Sequence, residues 1–82
     1  MNIIQAFQEA EKGKLITNNF LKSINHFLKY VSDGVFYEYN LIEGKPNYRY
    51  EVRKFSTAEI ISTDWEIIDI GDCFNQSVCH ER

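Results

Sequence analysis

The 82 residues carry nine Lys/Arg against twelve Asp/Glu, a formal net charge of −3, and are 44% hydrophobic and 15% aromatic. A chain this short holds a single domain and buries only a little over ~60% of the surface its unfolded form exposes. Six Phe, five Tyr and one Trp are its main means of building a core. Four Gly and one Pro exclude collagen-like and low-complexity classes, and two Cys exclude a disulfide scaffold. No apolar run approaches the ~20 residues of a membrane-spanning helix.

The charge is unevenly spread. Residues 1–54 sum to +2 and residues 55–82 to −5, which argues against DNA or RNA as a partner. No basic stretch precedes an apolar core at the start, so no signal peptide is expected and the expected location is cytoplasmic.

In chain order, Asn2 to Lys12 reads as a helix. Ile3, Ala6, Phe7 and Ala10 follow the three-four spacing, Asn2 suits the N-cap and Gly13 the position past the end. Leu15-Ile16-Thr17 starts a short strand and Asn18-Asn19 reads as a turn. Phe20, Leu21, Ile24, Phe27, Leu28 and Val31 fit a helical period, yet Phe27, Lys29 and Val31 alternate and lead into Asp33-Gly34. Asp-Gly is a strong hairpin signal, so His26–Ser32 is expected as a strand, with helix the alternative across 20–32. Val35 to Ile42 reads as a strand with Val35, Tyr37, Tyr39 and Leu41 on one face. Glu43-Gly44-Lys45-Pro46 reads as a break, and Asn47 to Lys54 as a strand with Tyr48, Tyr50 and Val52 on one side. Ser56 with Glu59 has capping-box spacing, and Trp65 to Ile70 is a closing strand. The expected fold is α+β, an N-terminal helix packed on a small, mostly antiparallel β-sheet, with residues 1–70 as the domain and 71–82 as a polar C-terminal tail.

Catalytic patterns are absent from the sequence. The glycines stand singly, no nucleophile elbow or metalloprotease helix occurs, and His26 and His80 fall in no recognisable set. The chain is expected not to be an enzyme and to need no cofactor. Cys73, Cys79 and His80 lack the close pairs of a zinc site, so no metal is expected. A disulfide between the two cysteines is geometrically possible. The alternating tyrosines have two readings. They are cross-strand packing, or a stacking surface for a nucleobase.

Two stretches resemble a known family. Ile4-Gln5-Ala6-Phe7 through Ala10 to Gly13-Lys14-Leu15-Ile16, and Ile60-Ile61-Ser62-Thr63-Asp64-Trp65-Glu66-Ile67-Ile68, resemble the opening and closing motifs of the second type of Thoeris anti-defence protein. The resemblance spans roughly residues 3–70. It implies a phage protein that sequesters a cyclic nucleotide immune signal, a cyclic ADP-ribose variant or a cyclic dinucleotide, without cleaving it. It also implies a homo-oligomer, a dimer of dimers, with pockets between protomers. The chain departs from the family where Thr17-Asn18-Asn19 replaces a basic stretch and Phe20 or Leu21 falls near a Trp position. Under this resemblance Phe7, Phe20, Tyr37 and Tyr39 are candidates to stack on a base, and Lys14, Asn18, Asn19 and Arg49 to bind phosphate. Asp64 and Trp65 join them as the closing motif. Their structural alternative is that Asp64 caps a turn while Trp65 fills the core. The competing function is a phage or prophage module that binds a host protein through an aromatic sheet face.

Overall fold

The structure is a computed structural model and describes residues 1–70. Cys73, Cys79, His80 and the expected polar tail lie outside the described residues. Helix α1 (Ile3–Glu11) opens with Asn2 as its N-cap, and Asn2 and Gln5 form a reciprocal capping box. Strand β1 (Leu15–Thr17) follows, then a one-turn helix α2 (Asn19–Ser23), β2 (His26–Ser32), β3 (Val35–Ile42), β4 (Lys45–Val52), a second one-turn helix α3 (Thr57–Ile61) and β5 (Glu66–Ile68). The five strands form one sheet in the order β4-β3-β2-β1-β5, and every neighbouring pair is antiparallel. The fold is α+β, as expected.

Asp33 and Gly34 both adopt positive φ, as a tight hairpin between right-twisted strands requires. Glu43 and Gly44 do the same. The expected break at 43–46 is therefore a second hairpin, and β4 starts at Lys45 rather than Asn47. Pro46 is tolerated because β4 is an edge strand with one unpaired side. The ambiguity over 20–32 resolves into both answers, a turn of helix and then a strand. Asn18-Asn19 is not a plain turn. Asn18 is the N-cap of α2, its side chain accepting from Leu21 N at 2.8 Å, and Asn19 is the first helical residue. Asn25, at φ 59°, ends the helical stretch.

The pleat sends alternate residues to opposite faces. Ile16, Leu28 and Phe36 pack with Ala6 and Ala10 of α1, joined by Leu21 and Trp65. Phe7 belongs to this side too, with its ring 4.8 Å from Phe36 and 5.1 Å from Phe55. The other face carries Phe27, Tyr37 and Tyr39. The two-residue alternation in β4 conceals a β-bulge. Tyr39 pairs with Tyr48 and Glu38 with Tyr50, leaving Arg49 as the extra residue. Tyr48 and Tyr50 therefore lie on opposite faces, against the expectation that they share one. Tyr48 joins the tyrosine face, while Tyr50 and Val52 join the α1 face.

Candidate functional site

The ten candidate residues separate into a groove, a tyrosine face, the core and isolated surface positions. Trp65 is 1% exposed and precedes β5 rather than starting it. Its indole Nε1 donates to the Glu59 carbonyl at 3.0 Å, and its backbone N donates to Met1 O at 3.1 Å. The Met1 ammonium donates back to Trp65 O at 2.8 Å. Trp65 is thus a structural anchor joining the N-terminus, α3 and the sheet. Phe7 sits in the aromatic core beside Phe36 and Phe55. Trp65 is closed to a ligand, whereas Phe7 is half-buried against these rings. Lys14 is an exposed residue of the turn between α1 and β1.

A groove of about 480 Å³ runs between α2 and α3, lined by Asn18, Phe20, Ser56, Ala58, Glu59, Ser62 and Asp64. It unites Asn18, Phe20 and Asp64, with Asn19 at its rim. Asn19 N donates to Asp64 Oδ2 at 3.0 Å, which ties the start of α2 to the segment before β5. Asp64 thus holds the first amide of α2 from a distance, a structural role other than the local turn cap raised as its alternative. Its other oxygen, Oδ1, is shut off from solvent and has no hydrogen-bond partner among the described residues. Glu59 also faces the groove, and its Oε1 accepts from Ser56 N at 2.8 Å in the capping box of α3. Phe20 is 69% exposed. Two carboxylates and no Lys or Arg line this groove, so its potential is negative and opposes a phosphate.

The tyrosine face is aromatic instead. Phe27 and Tyr39 are stacked with centroids 5.5 Å apart and planes 9° from parallel. Tyr48 stands edge-on to Tyr37 at 5.1 Å and to Tyr39 at 5.9 Å. Tyr48 is 53% exposed, whereas Tyr37 and Tyr39 are half-buried. Lys29 of β2 and Glu51 of β4 both pair with Tyr37, so ions of both signs border the platform, and Arg49 is the bulged residue next to Tyr48 in the chain. The polar groove and the aromatic platform thus divide candidates that the sequence treats as one set.

Three polar residues outside the ten candidates, His26, Glu38 and Tyr50, meet on the α1 face. Glu38, 6% exposed, receives its contacts at Oε2, from His26 Nδ1 and from the Tyr50 hydroxyl at 3.1 Å. Burial first, and the Glu38 carboxylate second, hold the Tyr50 phenol above its ordinary pKa of 10.0. The signal was present: Phe36, Glu38 and Asn40 alternate on the inward face of β3, so Glu38 is buried among apolar neighbours and needs partners. Among the described residues no three His, Cys, Asp or Glu side chains are grouped to hold a metal, and no helix is long and apolar enough to cross a membrane. Compared with protein-family models, curated proteins and solved structures, the chain gives no significant match.

Proposed function

We propose that this protein captures a small signalling nucleotide without transforming it, and that the base lies against the tyrosine face of the sheet. This is the activity that the resemblance to the second type of Thoeris anti-defence protein implies. The observation that carries the reading is the aromatic platform of Tyr37, Tyr39 and Tyr48, from which Tyr48 projects with half its surface exposed. Stacking a base on an aromatic ring contributes ~1–3 kcal/mol and is tolerant of base identity. Arg49 at the bulge supplies fork-shaped donors for phosphate oxygens. Sequestration needs affinity alone, which suits a surface built from rings and a cation rather than from acid–base pairs.

Calorimetric titration with cyclic ADP-ribose and with cyclic dinucleotides tests the reading. At least one ligand binds, and Tyr48→Ala weakens that binding roughly 5- to 150-fold, the equivalent of one stacked base. Ligand released by denaturing the complex is chemically intact. Recovery of turnover products would overturn the non-catalytic reading, and binding that Tyr48→Ala leaves unchanged would overturn the site.

A further inference from the structure

We propose that Glu38, by accepting the Tyr50 hydroxyl, is a positioning residue that keeps Arg49 as the bulged residue of β4 and so free for a phosphate. This deepens the nucleotide reading of the tyrosine face and rests on it. Two pairs of the β3–β4 ladder bracket the bulge, Tyr39 with Tyr48 and Phe36 with Val52. Between them β3 has Tyr37 and Glu38, whereas β4 has Arg49, Tyr50 and Glu51, so one β4 residue must be left over. The ladder leaves over Arg49, with Glu38 opposite Tyr50 and Tyr37 opposite Glu51. Leaving over Tyr50 or Glu51 instead would keep both bracketing pairs, and either choice sets Arg49 opposite Glu38. With Glu51 left over, Tyr50 also comes opposite Tyr37, the pairing that the plain alternation of Tyr48 and Tyr50 favours.

Glu38 decides among these pairings. It is buried, and its Oε2 receives His26 Nδ1 and the Tyr50 hydroxyl. A buried carboxylate needs its donors, since losing one leaves a poorly solvated charge. Tyr50 serves as a donor from the position opposite Glu38. Arg49 is the other donor that the ladder can bring there, because opposite charges across a strand pair attract. It is also uncommitted. Arg53 is bound to Glu51, whereas Arg49 forms no hydrogen bond or ion pair among the described residues. The Tyr50 hydroxyl therefore holds the place that the Arg49 guanidinium would take. Once paired with Glu38, that guanidinium would have its fork occupied and be lost to a phosphate. The rings of Tyr37, Tyr39 and Tyr48 would remain. The Glu38–Tyr50 bond thus sets whether the face prefers a phosphate-bearing nucleotide over a bare nucleoside.

The test is Tyr50→Phe, which removes the hydroxyl from a residue 52% exposed and keeps the ring. Cross-strand nuclear Overhauser contacts read the register without ligand. The parent should show Glu38 with Tyr50, and the variant Glu38 with Arg49. Titrating amide resonances with cyclic ADP-ribose, cyclic di-adenosine monophosphate and adenosine, which share one base, then reads the specificity. For whichever phosphate ligand the parent binds, Tyr50→Phe should weaken binding about tenfold or more, the worth of a charged hydrogen bond. Adenosine, which has no phosphate, should change by less than about twofold, because the stacking rings are kept. Arg49→Gln should cost the parent the same factor as Tyr50→Phe and should cost Tyr50→Phe nothing further. A variant that keeps Glu38 beside position 50, equal loss of nucleotide and adenosine, or additive losses would each overturn the proposal. If the contacts move but the parent binds neither phosphate ligand, the nucleotide reading falls and the proposal with it, leaving Glu38 only the register.

Discussion

Replacing Trp65 by Phe tests how α3 is held to the body of the protein. Helix α3 buries none of its own residues and touches α1, and the indole Nε1 bond to Glu59 O at 3.0 Å ties it to the buried Trp65. Phe55 meets the Trp65 ring edge-on at 6.2 Å. Trp65→Phe removes the hydrogen bond, worth about 1 kcal/mol net. It also removes ring volume equal to roughly two methylene groups, about 0.8 kcal/mol each. The sum is a loss of about 2–3 kcal/mol, or roughly 8–24 °C in a domain of this size. Urea unfolding followed by far-ultraviolet circular dichroism measures it without needing the lost tryptophan. Amide exchange should quicken first at Ile60, whose N–H bonds Ser56 O within α3. A loss below about 1 kcal/mol, or faster exchange spread evenly over the sheet, would refute the assignment of Trp65 as the anchor.

The Tyr50 phenol is held above 10.0 by burial and by Glu38. Folding therefore favours its neutral form, and the associated stability is whole below pH 10.0 and lost as pH rises through the higher folded value. Tyr50→Phe should be less stable than the parent at neutral pH, by about 1 kcal/mol, and the gap should close in strong alkali. A gap that widens with alkali would contradict the Glu38 bond. Gly34 sits at φ +76° with nothing within 4 Å of where a Cβ would project. Gly34→Ala should therefore cost only the left-handed backbone term, about 1–2 kcal/mol by thermal unfolding, and a much larger loss would mean that the hairpin geometry is wrong.

Local signals were the ones legible in the sequence. Asn2 was legible as an N-cap and Ser56 with Glu59 as a capping box because both depend on residues within one turn, and Gln5 completes a second box that the sequence reading did not name. Asp33-Gly34 marks its hairpin because positive φ is a property of the residues themselves. The bulge at Arg49 was hidden, since Tyr48, Tyr50 and Val52 alternate without interruption and only the register against β3 shows the extra residue. The switch from α2 to β2 was obscured because the apolar period runs through Asn25, where the backbone turns left-handed. The groove had no local signature at all. Its walls come from 18–20 and from 56–64, and they meet through the bond from Asn19 N to Asp64. The closing motif Asp64-Trp65 stood out as a pair, yet the two side chains part company, one at the groove and one in the core.

Titration of cyclic ADP-ribose and cyclic dinucleotides into the parent protein and Tyr48→Ala tests the central claim most directly. The account predicts saturable binding of at least one nucleotide by the parent, weakened roughly 5- to 150-fold in the variant. Absence of binding to the parent across the whole set would contradict it.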